Sequence, residues 1–181
     1  RNQRLTQAQL RRYLRAGREP LVALQLLKML SQSLLPDSVE LAAPYMHHED
    51  RRVRLSAIEI FVAMPGAESE GALAVMVQDR DREIATLALQ SLGKVARDKA
   101  FSSIEPLIRH GKPPTVRRGL ELLEALADVG GLWLVIETLK REPHSSWVEL
   151  QTRLILAWAG DDIFDRLKKA FQPTPSASGM A

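Results

Sequence analysis

The 181-residue chain predicts an all-α fold, a solenoid of about five helical hairpins, and three observations carry that prediction. A short apolar pattern recurs at a fixed interval, the composition favours helix, and turn residues fall between the apolar stretches. Hydrophobic residues make up 45% of the chain but aromatics only 5%, so Leu, Ala, Val and Ile must build the core. A chain of this length can bury such a core in one folded unit, expected over residues 1–171 and most regular over 20–160. Without cysteine, disulfides and thiolate metal sites are excluded.

The first 18 residues hold Arg1, Arg4, Arg11, Arg12, Arg15 and Arg18 and no acid, as a solvated basic first helix would. The remaining 19 basic residues face 22 acids, so the body of the chain is slightly negative. Pro20 to Leu30 is the next apolar helix. Four later segments then begin alike: Asp50-Arg-Arg-Val53, Asp81-Arg-Glu-Ile84, Pro113-Pro-Thr-Val116 and Ser145-Ser-Trp-Val148. Their anchors Val53, Ile84, Val116 and Val148 lie 31, 32 and 32 residues apart, and one step of 31 backwards reaches Val22. Asp50, Asp81 and Ser145 precede their anchors by three, where a side-chain oxygen can cap the free amides of a helix start.

Between anchors lie Val39 to Met46, Gly71 to Val77, Phe101 to Ile108 and Gly131 to Leu139, each a candidate partner helix. Pro36, Pro65-Gly66, Gly111, Pro113-Pro114, Gly130-Gly131, Pro143 and Gly160 supply the turns. Asp161, Asp162 and Asp165 open a last helical stretch, where acids complement the positive helix end. Residues 172–181 read as a flexible linker or tail of a larger protein.

Asp50-Arg-Arg-Val53-Arg54-Leu-Ser-Ala57 resembles the start of the second helix in HEAT-like repeats, which follows Asp-x-x-Val-Arg-x-x-Ala. Later copies drift, with Ile84-Ala85 replacing Val-Arg, Pro113 replacing Asp and Glu149 replacing Arg. The resemblance implies a right-handed α-α superhelix in which each hairpin buries its apolar face against its neighbours. It also implies that a ridge one residue past each anchor lies near the concave wall. That ridge reads Arg54, Ile58, Phe61, then Ala85, Leu89, Leu92, then Arg117, Glu121, Glu124, then Glu149, Arg153, Leu156.

An apolar floor with charges of both signs suits a protein or peptide segment as partner. The ridge residues are therefore the expected partner-binding surface, unless Ile58, Phe61, Leu89 and Leu92 pack between repeats. The basic patch of Arg4, Arg11, Arg12 and Arg15 suits an acidic partner or a membrane surface. Nucleic acid is not the expected partner, because no continuous basic surface is encoded.

Candidates for chemistry are sparse. His47-His48-Glu49-Asp50 is the one dense metal-capable cluster, but adjacent helical histidines point about 100° apart and chelate poorly. Some HEAT-like hydroxylases bind iron through His-Glu pairs within second helices, whereas His48-Glu49 precedes that helix and occurs once. His110 and His144 flank turns without a local nucleophile. Trp133, Trp147 and Trp158 fall in the last two units, and some HEAT-like alkylpurine DNA glycosylases use aromatic and acidic residues on a basic concave wall to hold damaged DNA. The body's acidity opposes that alternative. No apolar run reaches the roughly 20 residues of a membrane span. The expectation is a noncatalytic interaction scaffold without cofactor or metal, cytoplasmic or the soluble part of a membrane-associated protein, from a bacterial multidomain chain.

Overall fold

A computed structural model describes residues 6–16, 19–142 and 146–158. Every element among them is helical. The helices are α1 (Gln7–Ala16), α2 (Pro20–Ser33), α3 (Ser38–Ala42), α4 (Arg51–Ala63), α5 (Ala67–Met76), α6 (Arg82–Val95), α7 (Arg97–Arg109), α8 (Pro113–Leu126), α9 (Leu132–Arg141) and α10 (Val148–Trp158). Short 3₁₀ turns follow α3 (Ala43–His47) and precede α9 (Val129–Gly131). No described helix is long and apolar enough to cross a membrane. The chain divides into two compact units, Arg1–Pro106 and Leu107–Ala181.

In the first unit α1, α3 and α5 pack as one layer, and α2, α4 and α6 as a second. The second layer is apolar at the spacing of one helix face: Ala23, Leu26, Leu27 and Leu30 on α2, and Val53, Ala57 and Ile60 on α4. Ile84, Ala88 and Leu92 continue the pattern on α6. The anchor expected at Val22 is displaced by one. Val22 is 47% exposed and Ala23 is fully buried, because α2 begins with Pro20 in its first turn and turns Ala23, not Val22, toward its neighbours.

The two predicted aspartate caps form within the described residues. Asp50 accepts from the Arg52 amide (2.8 Å), and Asp81 from the Glu83 and Ile84 amides (3.0 and 3.3 Å). Ser145, Pro143, Gly160, His144 and everything from Asp161 onward lie outside the described residues, as do Arg1, Arg4 and Arg18.

In the second unit α8 and α9 both pack on α10. Val116, Leu120 and Leu123 of α8 are fully buried, as is Val135 of α9. Gly119 marks a close approach: a β-carbon there would lie 2.6 Å from Ile108 Cγ1. Pro106 sits inside α7 and has no amide proton to donate to the preceding turn, and the boundary between the units falls directly after it.

Candidate functional site

Burial splits the expected ridge into two halves of different character. Ile58, Phe61, Ala85, Leu89 and Leu92 are buried core residues, and Arg54 is only 3% exposed. They therefore present nothing to a partner while the helices stay packed, which corrects the binding role expected for them. The cause is geometric. A second-layer helix touches its own first-layer helix on one side and the next second-layer helix on another, so both the anchor stripe and the stripe beside it are covered.

Arg54 shows how a charge can sit in that seam. Its guanidinium grips both Asp79 carboxylate oxygens (2.8 and 3.1 Å), and its remaining donors reach the carbonyls of His48 and Glu49 (2.7 and 2.9 Å). Asp79 also accepts from the Asp81 amide (2.8 Å), which ties this lattice to the cap of α6. Arg51 bridges Asp81 and Glu83 from the other side. The Asp-x-x-Val-Arg pattern thus builds a structural clasp between consecutive hairpins.

The other half of the ridge is accessible. Arg117, Glu149 and Arg153 are exposed and Glu121 and Glu124 half-buried. Arg117, Glu121, Glu149 and Arg153 come together around a cleft of about 170 Å³, with Trp147 and Leu150 also lining it. Arg153 holds Glu124 in a two-point ion pair (2.8 and 2.9 Å), and Arg117 reaches Glu121 (3.3 Å). Leu156 stands on the same helix at 62% exposure.

Sequence reasoning missed a set of exposed aliphatics on the second-layer helices. Leu21 and Val22 on α2, Val62 on α4, and Leu87 and Val95 on α6 are all substantially exposed, Leu21 to 70%. For Leu87 a signal existed. Glu83, Leu87, Gln90 and Lys94 recur at helical spacing on α6, and an aliphatic residue in an otherwise polar stripe has no packing reason to be there.

The remaining candidates resolve individually. Arg11 is committed to Asp37 through two bonds (2.7 and 2.9 Å), and this guanidinium holds the Asp37 carboxyl below its usual range. Arg12 and Arg15 are exposed, and Arg15 lines a cleft of about 730 Å³ with Leu14, Glu40, Tyr45 and His47. His48 accepts from the Asp50 amide through Nδ1 (3.0 Å) and stacks on Tyr45, with ring centroids 6.4 Å apart. Among the described residues no three His, Cys, Asp or Glu side chains converge as a metal site. Trp147 is buried, Trp133 exposed and Trp158 half-buried, so the three do not share one environment.

The Asp50 carboxyl is held at about 2 by hydrogen bonds from the Arg52 side chain and amide. Burial pushes the Asp81 carboxyl up, but donation from the Ile84 and Glu83 amides and the charges of Arg51 and Arg54 outweigh it and leave it lowered. Both shifts belong to helix caps, where such lowering serves stability. No protein-family model, curated protein or solved structure matches the chain.

Proposed function

We propose that the protein is a noncatalytic interaction scaffold of the HEAT-like kind that binds segments of other proteins along its second-layer helices. The observation that carries this reading is the concentration of exposed aliphatics on α2, α4 and α6, where Leu21, Val22, Val62, Leu87 and Val95 lie, against Tyr13 and Val75 on the first-layer helices. Each of these helices already buries an apolar stripe against its neighbours, so the exposed set is surplus to the core. In the second unit the matching helices α8 and α10 expose Arg117, Glu149, Arg153 and Leu156. Apolar anchors supply affinity, and the charges around them set register and exclude wrong partners.

A position-resolved crosslinking experiment tests the reading. A photoreactive residue placed at Gln90 on α6 or Thr152 on α10, both exposed, is expected to trap a discrete protein partner in cells. The same residue at Glu40 on α3, in the first layer, is expected to trap none. Equal trapping from all three positions would remove the assignment to the second layer.

A further inference from the structure

A notch of about 60 Å³ lies in the first unit where the C-terminal ends of α4 and α6 meet α5. Phe61 and Leu73 form its buried apolar floor, and the half-exposed Val62 and Val95 form its lips. Two of its polar groups are already engaged, Ser69 with the Met64 carbonyl and Glu70 with Lys99. Lys94 is not: it is exposed at the rim, and no carboxylate among the described residues pairs with it.

We propose that this notch receives one aliphatic side chain of a partner protein segment, with an adjacent carboxylate of that segment pairing with Lys94. The inference rests on α4 and α6 taking part in partner binding, and it names the partner's chemistry. Size selects the side chain. A dry cavity that admits a benzene ring measures about 150 Å³, so a notch less than half as large favours a branched aliphatic group over an aromatic one. Charge selects its neighbour. An unpaired ammonium beside apolar lips favours a carboxylate and disfavours a basic segment, and the ion pair it forms is partly shielded by the valines. A segment ending in an aliphatic residue, or carrying Asp or Glu next to one, meets both requirements.

The test uses N-acetyl-L-leucine, whose isobutyl group and free carboxylate reproduce both features, titrated to tens of millimolar against the full chain. Methyl NMR reads the outcome. Saturable shifts are expected at Val62, Leu73 and Val95, while N-acetyl-L-leucinamide, which lacks the carboxylate, binds about threefold more weakly, the size of a partly exposed ion pair. In Lys94→Gln the two compounds should become equal, and N-acetyl-L-phenylalanine should bind the notch more weakly than N-acetyl-L-leucine in either protein. Absence of leucine shifts, equal binding of the amide to the unaltered protein, or binding of the phenylalanine compound at the notch as tightly as the leucine compound would each overturn the proposal. Partner crosslinks at Thr152 stand apart from this result, so a failed notch with intact crosslinks removes the notch alone, whereas loss of those crosslinks removes the wall.

Discussion

Arg54 and Asp79 are the pair on which a single substitution should act most severely. Their side chains are 4% and 7% exposed, so removing one partner leaves the other charged and cut off from water. Arg54→Met is expected to cost about 3–5 kcal/mol, the usual penalty for stranding half of a buried ion pair, read as a lowered urea midpoint. Arg54→Met with Asp79→Asn should recover part of it, because an Asn oxygen still accepts from the Asp81 amide without carrying charge. Equal loss in the single and double variants would place the cost in the lost carbonyl bonds instead. Asp50 gives a pH-dependent counterpart. Its carboxyl titrates at about 2 in the folded protein against about 3.9 in an unfolded chain. A lowered folded value means that the stabilisation is complete above the unfolded value and fades as pH falls through about 2. The Arg52 amide resonance should therefore report a midpoint near pH 2. Asp50→Asn should abolish that midpoint while keeping the cap, since Asn caps helices as well as Asp does.

At the scale of single helices the deciding quantity is phase, and one residue of phase separates core from surface. Leu89 is fully buried on α6, and Gln90, the next residue, is exposed. Leu89→Asp is expected to lose the cooperative unfolding of the first unit, because it places an unpaired carboxylate in apolar packing. Gln90→Asp should leave both circular dichroism and the urea midpoint essentially unchanged. Similar behaviour of the two variants would show that the helix is rotated from the position described. The same sensitivity explains what was legible beforehand. The caps at Asp50 and Asp81 and the anchors Val53, Ile84 and Val116 could be read directly, because a cap and an apolar repeat are local signals. Val22 was misread by one residue, since Pro20 sets the start of α2 and the repeat interval alone does not. Ile58, Phe61, Leu89 and Leu92 were indistinguishable from a groove floor by sequence, because an aliphatic side chain looks the same whether its neighbour is a second helix or a partner. Arg54 was the hardest. Its partner Asp79 lies 25 residues away, and only tertiary packing brings the two together.

Charge bookkeeping over the whole chain separates a protein-binding wall from a nucleic-acid-binding one. Phosphate backbones are held by cations that exchange bound counterions, so affinity falls with salt by about 0.9 logarithmic units per phosphate contacted. Here many cations are already neutralised in place: Arg51 by Asp81 and Glu83, Arg109 by Glu137, Arg117 by Glu121, and Arg153 by Glu124. A phosphate would have to displace an intramolecular carboxylate at each of these, and Glu149, exposed beside Arg153 in the cleft of the second unit, would repel it. The formal excess of +3 arises from the arginines of the first 18 residues, of which Arg12 and Arg15 are exposed on α1. Binding to a labelled duplex of about 20 base pairs, followed by fluorescence anisotropy, is therefore expected to be weaker than about 10⁻⁴ M at 0.15 M salt, the weak edge of ordinary nonspecific binding. Any residual affinity at low salt should show a slope equivalent to no more than about three phosphates and should disappear in Arg12→Glu with Arg15→Glu. A slope equivalent to five or more phosphates that survives that double substitution would place the contacts on the second-layer helices, and the wall would then be a nucleic-acid surface rather than a protein one.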